Sequence, residues 1–167
     1  MPVTKSACKA LTVGVVLVSL ALGLAGSSLV ATSHAVGPLY RVVNVVDGDT
    51  IVLENGERVR YLGIDTPETS DPGRGIECYG PEATERNRHL VEDRLVRLEA
   101  DQSNRDRYGR LLRYVYVDDL FVNGELVEEG YAYTSYWPPD TRYYQELLAL
   151  ESQARAAGRG LWSACQR

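Results

Sequence analysis

From residue 39 the chain alternates between apolar and polar positions in short bursts. LYRVVNVV (39–46), IVLE (51–54) and ERVRYLGI (57–64) are rich in β-branched residues, and Asp47-Gly48 and Asn55-Gly56 separate them. Such dipeptides between apolar runs are strong hairpin signals, so the spacing predicts three consecutive strands in a meander. Residues 65–80 carry Pro, Gly and Asp without periodicity and read as an irregular loop. PEATERNRHLVED (81–93) opens with proline at a first helical position and sets Ala83, Leu90 and Val91 at helical spacing. RLVRLEA (94–100) and RLLRYVYV (110–117) alternate as a fourth and a fifth strand on either side of a polar loop. VNGELVEEG (122–130) predicts a short helix closed by Gly130. Residues 141–158 predict a longer one, with Tyr144, Leu147, Leu148, Leu150 and Ala154 available for its apolar face.

Three strands, a helix, two strands and two helices make an α+β chain. The plan is that of a five-stranded OB-fold barrel with three helices. The first 35 residues stand apart from it. Lys5 and Lys9 precede the uncharged apolar run 11–26, and Ser33-His34-Ala35 puts small residues where a signal peptidase reads. This is the layout of a secretory signal peptide cleaved after Ala35. The competing reading is a retained anchor, since residues 11–31 approach the length needed to span a bilayer. Residues 36–167 then form one domain.

Charge narrows the choice of partner. Both lysines lie in the leader, so residues 36–167 set sixteen arginines against 23 carboxylates, a formal net charge of −7. That balance excludes binding to nucleic acid through a general basic field, and any phosphate must be met by individually placed arginines. Cysteine use agrees with export. Cys8 belongs to the leader, and Cys78 and Cys165 are an even pair, which reads as one disulfide. Two free thiols are the alternative. Two cysteines and the distant His89 do not make a zinc site.

Candidate chemistry begins at VVDGDTIVL (45–53). The turn needs Asp47-Gly48, but a second carboxylate at Asp49 adds like charge that the turn does not use. In an antiparallel meander the start of the second strand lies beside the end of the third, which brings Asp49 near Asp65. Two carboxylates with a backbone carbonyl form an all-oxygen site suited to a hard cation such as calcium. Arg60 and Arg110 supply planar guanidinium groups that match phosphate oxygens two at a time. Glu68, three residues beyond Asp65, is placed to take a proton from an attacking water.

DGDT (47–50), Arg60 with DTPET (65–69), ECYGPEA (77–83), DRYGR (106–110) and GRGLW (158–162) together resemble the staphylococcal nuclease (thermonuclease) family, over about residues 40–163. The resemblance implies Asp49 and Asp65 as calcium ligands with the Thr66 carbonyl, Glu68 as general base, and Arg60 and Arg110 on the phosphate. It also implies Arg107, Tyr108 and Tyr136 against the nucleotide. The implied activity is endonucleolytic cleavage of DNA and RNA at the P–O5′ bond, leaving 3′-phosphate ends. The chain departs from the best-known member in being acidic and free of lysine after the leader. It carries Arg107 where that member has lysine, and WPPD (137–140) follows Tyr136.

The expectation is a secreted, monomeric nuclease with no stable membrane association after leader removal. Two other readings stand beside it. One is a domain of the same fold that binds nucleic acid without cutting it. The other is an exported OB module with a structural calcium site, which has no use for Arg60 and Arg110 at the metal.

Overall fold

The computed structural model describes residues 37–69 and 75–165. The expected leader, with its cleavage point after Ala35 and Cys8, lies outside the described residues. The elements in chain order are β1 (Leu39–Asp47), β2 (Thr50–Leu53), β3 (Arg58–Tyr61), β4 (Ile64–Asp65), α1 (Gly80–Val91), β5 (Leu95–Glu99) and β6 (Leu111–Val117). After them come β7 (Leu120–Phe121), α2 (Val122–Glu128), β8 (Tyr133–Thr134), α3 (Tyr144–Ala156) and α4 (Leu161–Ala164).

Five of these strands close a barrel. β1 pairs antiparallel with β2 through one stretch and with β5 through another, β2 pairs with β3, and β5 pairs with β6. A parallel contact of β3 with β6, Val59 beside Leu111, completes the ring. Register shifts between Val42 and Asn44 and between Val45 and Asp47 bend β1. An inserted residue sharpens local twist, and this lets one long strand serve two partners on the barrel wall. The interior is filled by alternate positions, with Val42, Ile51, Val59, Val96 and Val115 fully buried.

Two departures from the sequence expectation shape the site. The third strand does not run to residue 64. It stops at Tyr61 and turns at Leu62-Gly63, where Gly63 takes a φ of +75° that disfavours any side chain. The chain resumes as β4, which pairs with β8 through Ile64 and Thr134. Residue 65 therefore leaves the barrel wall and lies on a separate two-stranded ribbon. The second departure is in α3, where Leu147 and Ala154 are buried while Leu148 stays 41% exposed. A spacing of seven returns to the same helix face, whereas the next residue along is turned by about 100°.

In α1, Ala83, Leu90 and Val91 are buried as their spacing predicts, and Asn87 is buried with them. Cys78 and Cys165 form a disulfide with their Cα atoms 5.9 Å apart, linking the segment before α1 to the residue after α4. A bond across 87 residues of sequence stabilises such a chain by about 4–5 kcal/mol in the loop-entropy account.

Candidate active site

The β1–β2 turn places Asp49 at the mouth of the barrel, 5% exposed. Its own N–H donates to Asp47 Oδ1 at 3.0 Å, which fixes the turn. Gly48 is not among the glycines with positive φ, so the hairpin geometry does not require it. Space does. A Cβ on Gly48 would lie 2.6 Å from Thr66 Oγ1. The glycine thus lets the DGDT turn and the DTPE segment pass in contact. Across that contact, the Thr66 N–H and hydroxyl both donate to Asp49 Oδ2, at 2.9 and 3.1 Å.

Thr50 pairs with Arg60 in the β2–β3 ladder, which sets Arg60 beside Asp49. Four protein oxygens surround the Arg60 guanidinium. Nε lies 3.1 Å from Asp49 Oδ1, Nη2 donates to Asp65 Oδ1 at 2.6 Å, and Nη1 donates to the carbonyls of Tyr61 and Ile64, both at 2.9 Å. The break in the third strand makes this possible, because it turns the Ile64 carbonyl and Asp65 back toward β3. Arg60 is consequently held rigid, with one carboxylate on each side.

Arg110 enters from the start of β6. Its Nε donates to Asp106 Oδ2 at 2.7 Å, and Nη1 reaches Thr50 Oγ1 at 3.5 Å. Asp106 was not singled out in the sequence, yet it organises the whole turn. Its Oδ1 accepts the N–H groups of Tyr108 and Arg110 at 2.9 and 3.0 Å. Burial alone would raise the Asp106 pKa. The Arg110 side chain and these backbone donors outweigh it and hold the carboxyl below its usual range. The visible signal was Asp two residues before Tyr-Gly, a turn-forming position.

Asn87 is the other residue the sequence reading passed over. Tyr61 OH donates to its Oδ1 at 2.9 Å, and its Nδ2 donates to the Asp47 carbonyl at 3.0 Å. One buried amide on α1 thereby supports the turn that carries Asp49. A polar residue within an otherwise apolar helical stripe was the available sign.

Asp47, Asp49, Asp65, Glu68, Arg60, Tyr108 and Arg110 line one cleft of about 240 Å³, and Arg107 contributes at its edge. Like charges crowd there. Burial, and then the charge of Asp49, push the Asp47 pKa up to about 6. Burial first, then Asp49 and Asp65, raise that of Glu68. Among the described residues, no three His, Cys, Asp or Glu side chains converge into a cage for a metal ion. Asp49 and Asp65 stand on either side of the Arg60 guanidinium, and their hard oxygens suit an open site that leaves positions for water and phosphate. Hard oxygen donors in excess of the local positive charge suit a hard divalent cation.

The rim is built differently. The Arg107 and Arg110 guanidinium carbons lie 4.8 and 5.5 Å from the centre of the Tyr108 ring, which is 68% exposed. Tyr136 does not line the cleft. It is 62% exposed and packs edge-on against Tyr144, with centroids 4.9 Å apart. Trp137, next in sequence, takes the lining position with Ser135.

With this geometry in place, comparison with known proteins decides the family. The sequence model of the staphylococcal nuclease homologues matches residues 58–164. The chain belongs to the staphylococcal nuclease family. It is 34% identical to the thermonuclease of Staphylococcus hyicus over 78% of this chain and 79% of that one. It is 36% identical to the thermonuclease of Staphylococcus intermedius, over 75% of this chain and 77% of that one. It is also 42% identical to endonuclease YncB of Bacillus subtilis over 74% of this chain, spanning 63% of that longer protein. The closed five-stranded barrel with its helices is the staphylococcal nuclease OB-fold.

Proposed function

We propose that this chain is a secreted, calcium-dependent endonuclease that hydrolyses phosphodiester bonds of DNA and RNA at P–O5′, leaving 3′-phosphate ends. The observation that carries the reading is the meeting of Asp49, Asp65 and Glu68 with Arg60 and Arg110 in one cleft. Nuclease and endonuclease relatives support it. The leader layout of residues 1–35 and the Cys78–Cys165 bond support export, and the chain is read as a monomer without a stable membrane contact.

Asp49, Asp65 and the Thr66 carbonyl would hold the calcium ion, which when bound supplies a Lewis acid for a phosphate oxygen. Glu68, with its basicity raised by burial and its neighbours, takes the proton of the attacking water. Arg60 and Arg110 place guanidinium donors where the equatorial oxygens gain charge in the transition state. Because both arginines already sit against protein carboxylates, little rotamer freedom is lost when substrate arrives. Arg107, Tyr108 and Tyr136 are read as the residues that meet the nucleotide, and Trp137, which lines the cleft, joins them at the rim.

The deciding experiment is cleavage of single- and double-stranded DNA and of RNA by the purified protein, with millimolar calcium and with chelator. Calcium-dependent cutting with 3′-phosphate ends is the expected result. A folded protein that retains oligonucleotide but leaves it intact would mark a binding module instead.

A further inference from the structure

Glu68 lies in the chain just beyond β4, outside any helix or strand. Its backbone is nevertheless gripped at both polar groups by one residue nine positions away. The Glu68 N–H donates to Glu77 Oε2 at 3.0 Å, and the Glu68 carbonyl accepts the Glu77 N–H at 2.8 Å. Gly80 presses on the same backbone, since a Cβ there would lie 2.6 Å from the Glu68 carbonyl oxygen.

This grip is exposed to solvent, where a hydrogen bond contributes little unless both partners are already ordered. Glu77 is ordered from its C-terminal side. Its carbonyl accepts the Gly80 N–H at 3.1 Å in the turn entering α1, and the Tyr79 ring packs 5.3 Å from that of Tyr131. The adjacent residue, Cys78, is covalently joined to Cys165. α4, immediately before Cys165, is seated by the buried Leu161, whose N–H donates to the Gly130 carbonyl at 2.9 Å. A continuous line of contacts therefore runs from the core through α4 and the disulfide to Glu77 and on to Glu68.

We propose that Glu77 is a positioning residue for Glu68, and that the Cys78–Cys165 disulfide keeps Glu77 in that role. The bond thus acts on turnover as well as on stability. The inference rests on the reading of Glu68 as the general base, whose carboxylate direction follows from how its backbone is held.

The test compares the parent with E77A, E77Q, C78S/C165S and the triple combination. It measures kcat and KM on single-stranded DNA with calcium, and Glu68 amide exchange by NMR in metal-free protein. E77A is expected to lower kcat about tenfold with KM within about twofold, because a misplaced base costs turnover rather than binding. E77Q keeps an amide oxygen that can accept the Glu68 N–H and is expected to recover most of the loss. C78S/C165S is expected to lower kcat about threefold, and to cost little more in the E77A background, since the two changes act through one contact. The Glu68 amide should exchange about tenfold faster in E77A than in the parent.

Parental kcat and parental amide protection in E77A overturn the proposal, as do losses that add independently. The two Glu77 variants retain the disulfide, so the question stays answerable if C78S/C165S fails to fold. A parent that cuts nothing overturns the base reading itself, and amide exchange then still decides whether Glu77 holds the Glu68 backbone.

Discussion

The cleft has two ends made on opposite principles. At the barrel wall, Asp49 is 5% exposed and shares its oxygens among Thr66, Thr50 and Arg60, while Arg60 meets four protein oxygens. At the rim, Tyr108 and Trp137 are 68% and 51% exposed and touch the protein through few polar contacts. The wall is costly to disturb and is set before substrate arrives, which suits groups that act on the transition state. The rim keeps its freedom, which suits stacking against a flexible strand of nucleic acid. An acidic chain with no lysine beyond residue 9 has no bulk field to compensate for a weak rim. Damage at the wall should therefore appear in kcat, and damage at the rim in KM and salt response.

The largest test of that division is Arg110→Ala. Removing one preorganised donor should lower kcat/KM about 10³-fold, while circular dichroism and the melting temperature stay near the parent. Parental cutting by that variant would dissolve the distinction between wall and rim. Glu68→Gln comes next, with kcat expected to fall about 10²-fold and KM little changed, read from initial rates on one oligonucleotide. Asp106→Asn should cost about tenfold in kcat/KM, because the Arg110 guanidinium loses its charged partner while the turn keeps an acceptor for the Tyr108 and Arg110 N–H groups. A loss confined to KM would move Asp106 from the wall to the rim. The smallest effect is assigned to Trp137→Ala, a rise of about three- to tenfold in KM at unchanged kcat. Tyr136→Ala is the control that sharpens it, since Tyr136 packs on Tyr144 and is not among the residues that line the cleft. An equal rise from Tyr136→Ala would return the stacking role to that residue.

Much of this was legible along the chain. The runs at 39–46 and 51–54 marked two barrel strands, and the later alternations marked two more. Asp49 and Asp65 do come together, across the Arg60 guanidinium, but through β4 after the break at Leu62-Gly63 and not through the end of the third strand as the meander predicts. Periodicity worked for those strands because a strand exposes its pairing in a two-residue rhythm. It failed at 57–64, where the apolar pattern continues straight through a turn. Leu62 and Ile64 are both buried, but in different surroundings, and nothing in the pattern marks the change. Leu148 was misplaced for a related reason, as adjacent leucines in a helix look alike in sequence and lie about 100° apart in space. Tyr136 and Trp137 form the same kind of pair on a loop, where no period exists to choose between them.

The sequence by itself determined the barrel plan, the candidate groups for the chemistry, and the acidic balance that rules out bulk electrostatic binding. Each of these depends on residue type and on spacing within one segment. Tertiary structure alone decided that Gly48 is needed for the passage of Thr66 and that Asn87 supports the Asp47 turn. It also decided that Glu77 grips Glu68 beside a disulfide. These contacts join segments whose separation in space is set only when the barrel closes, and a pattern read along one strand carries no measure of that distance.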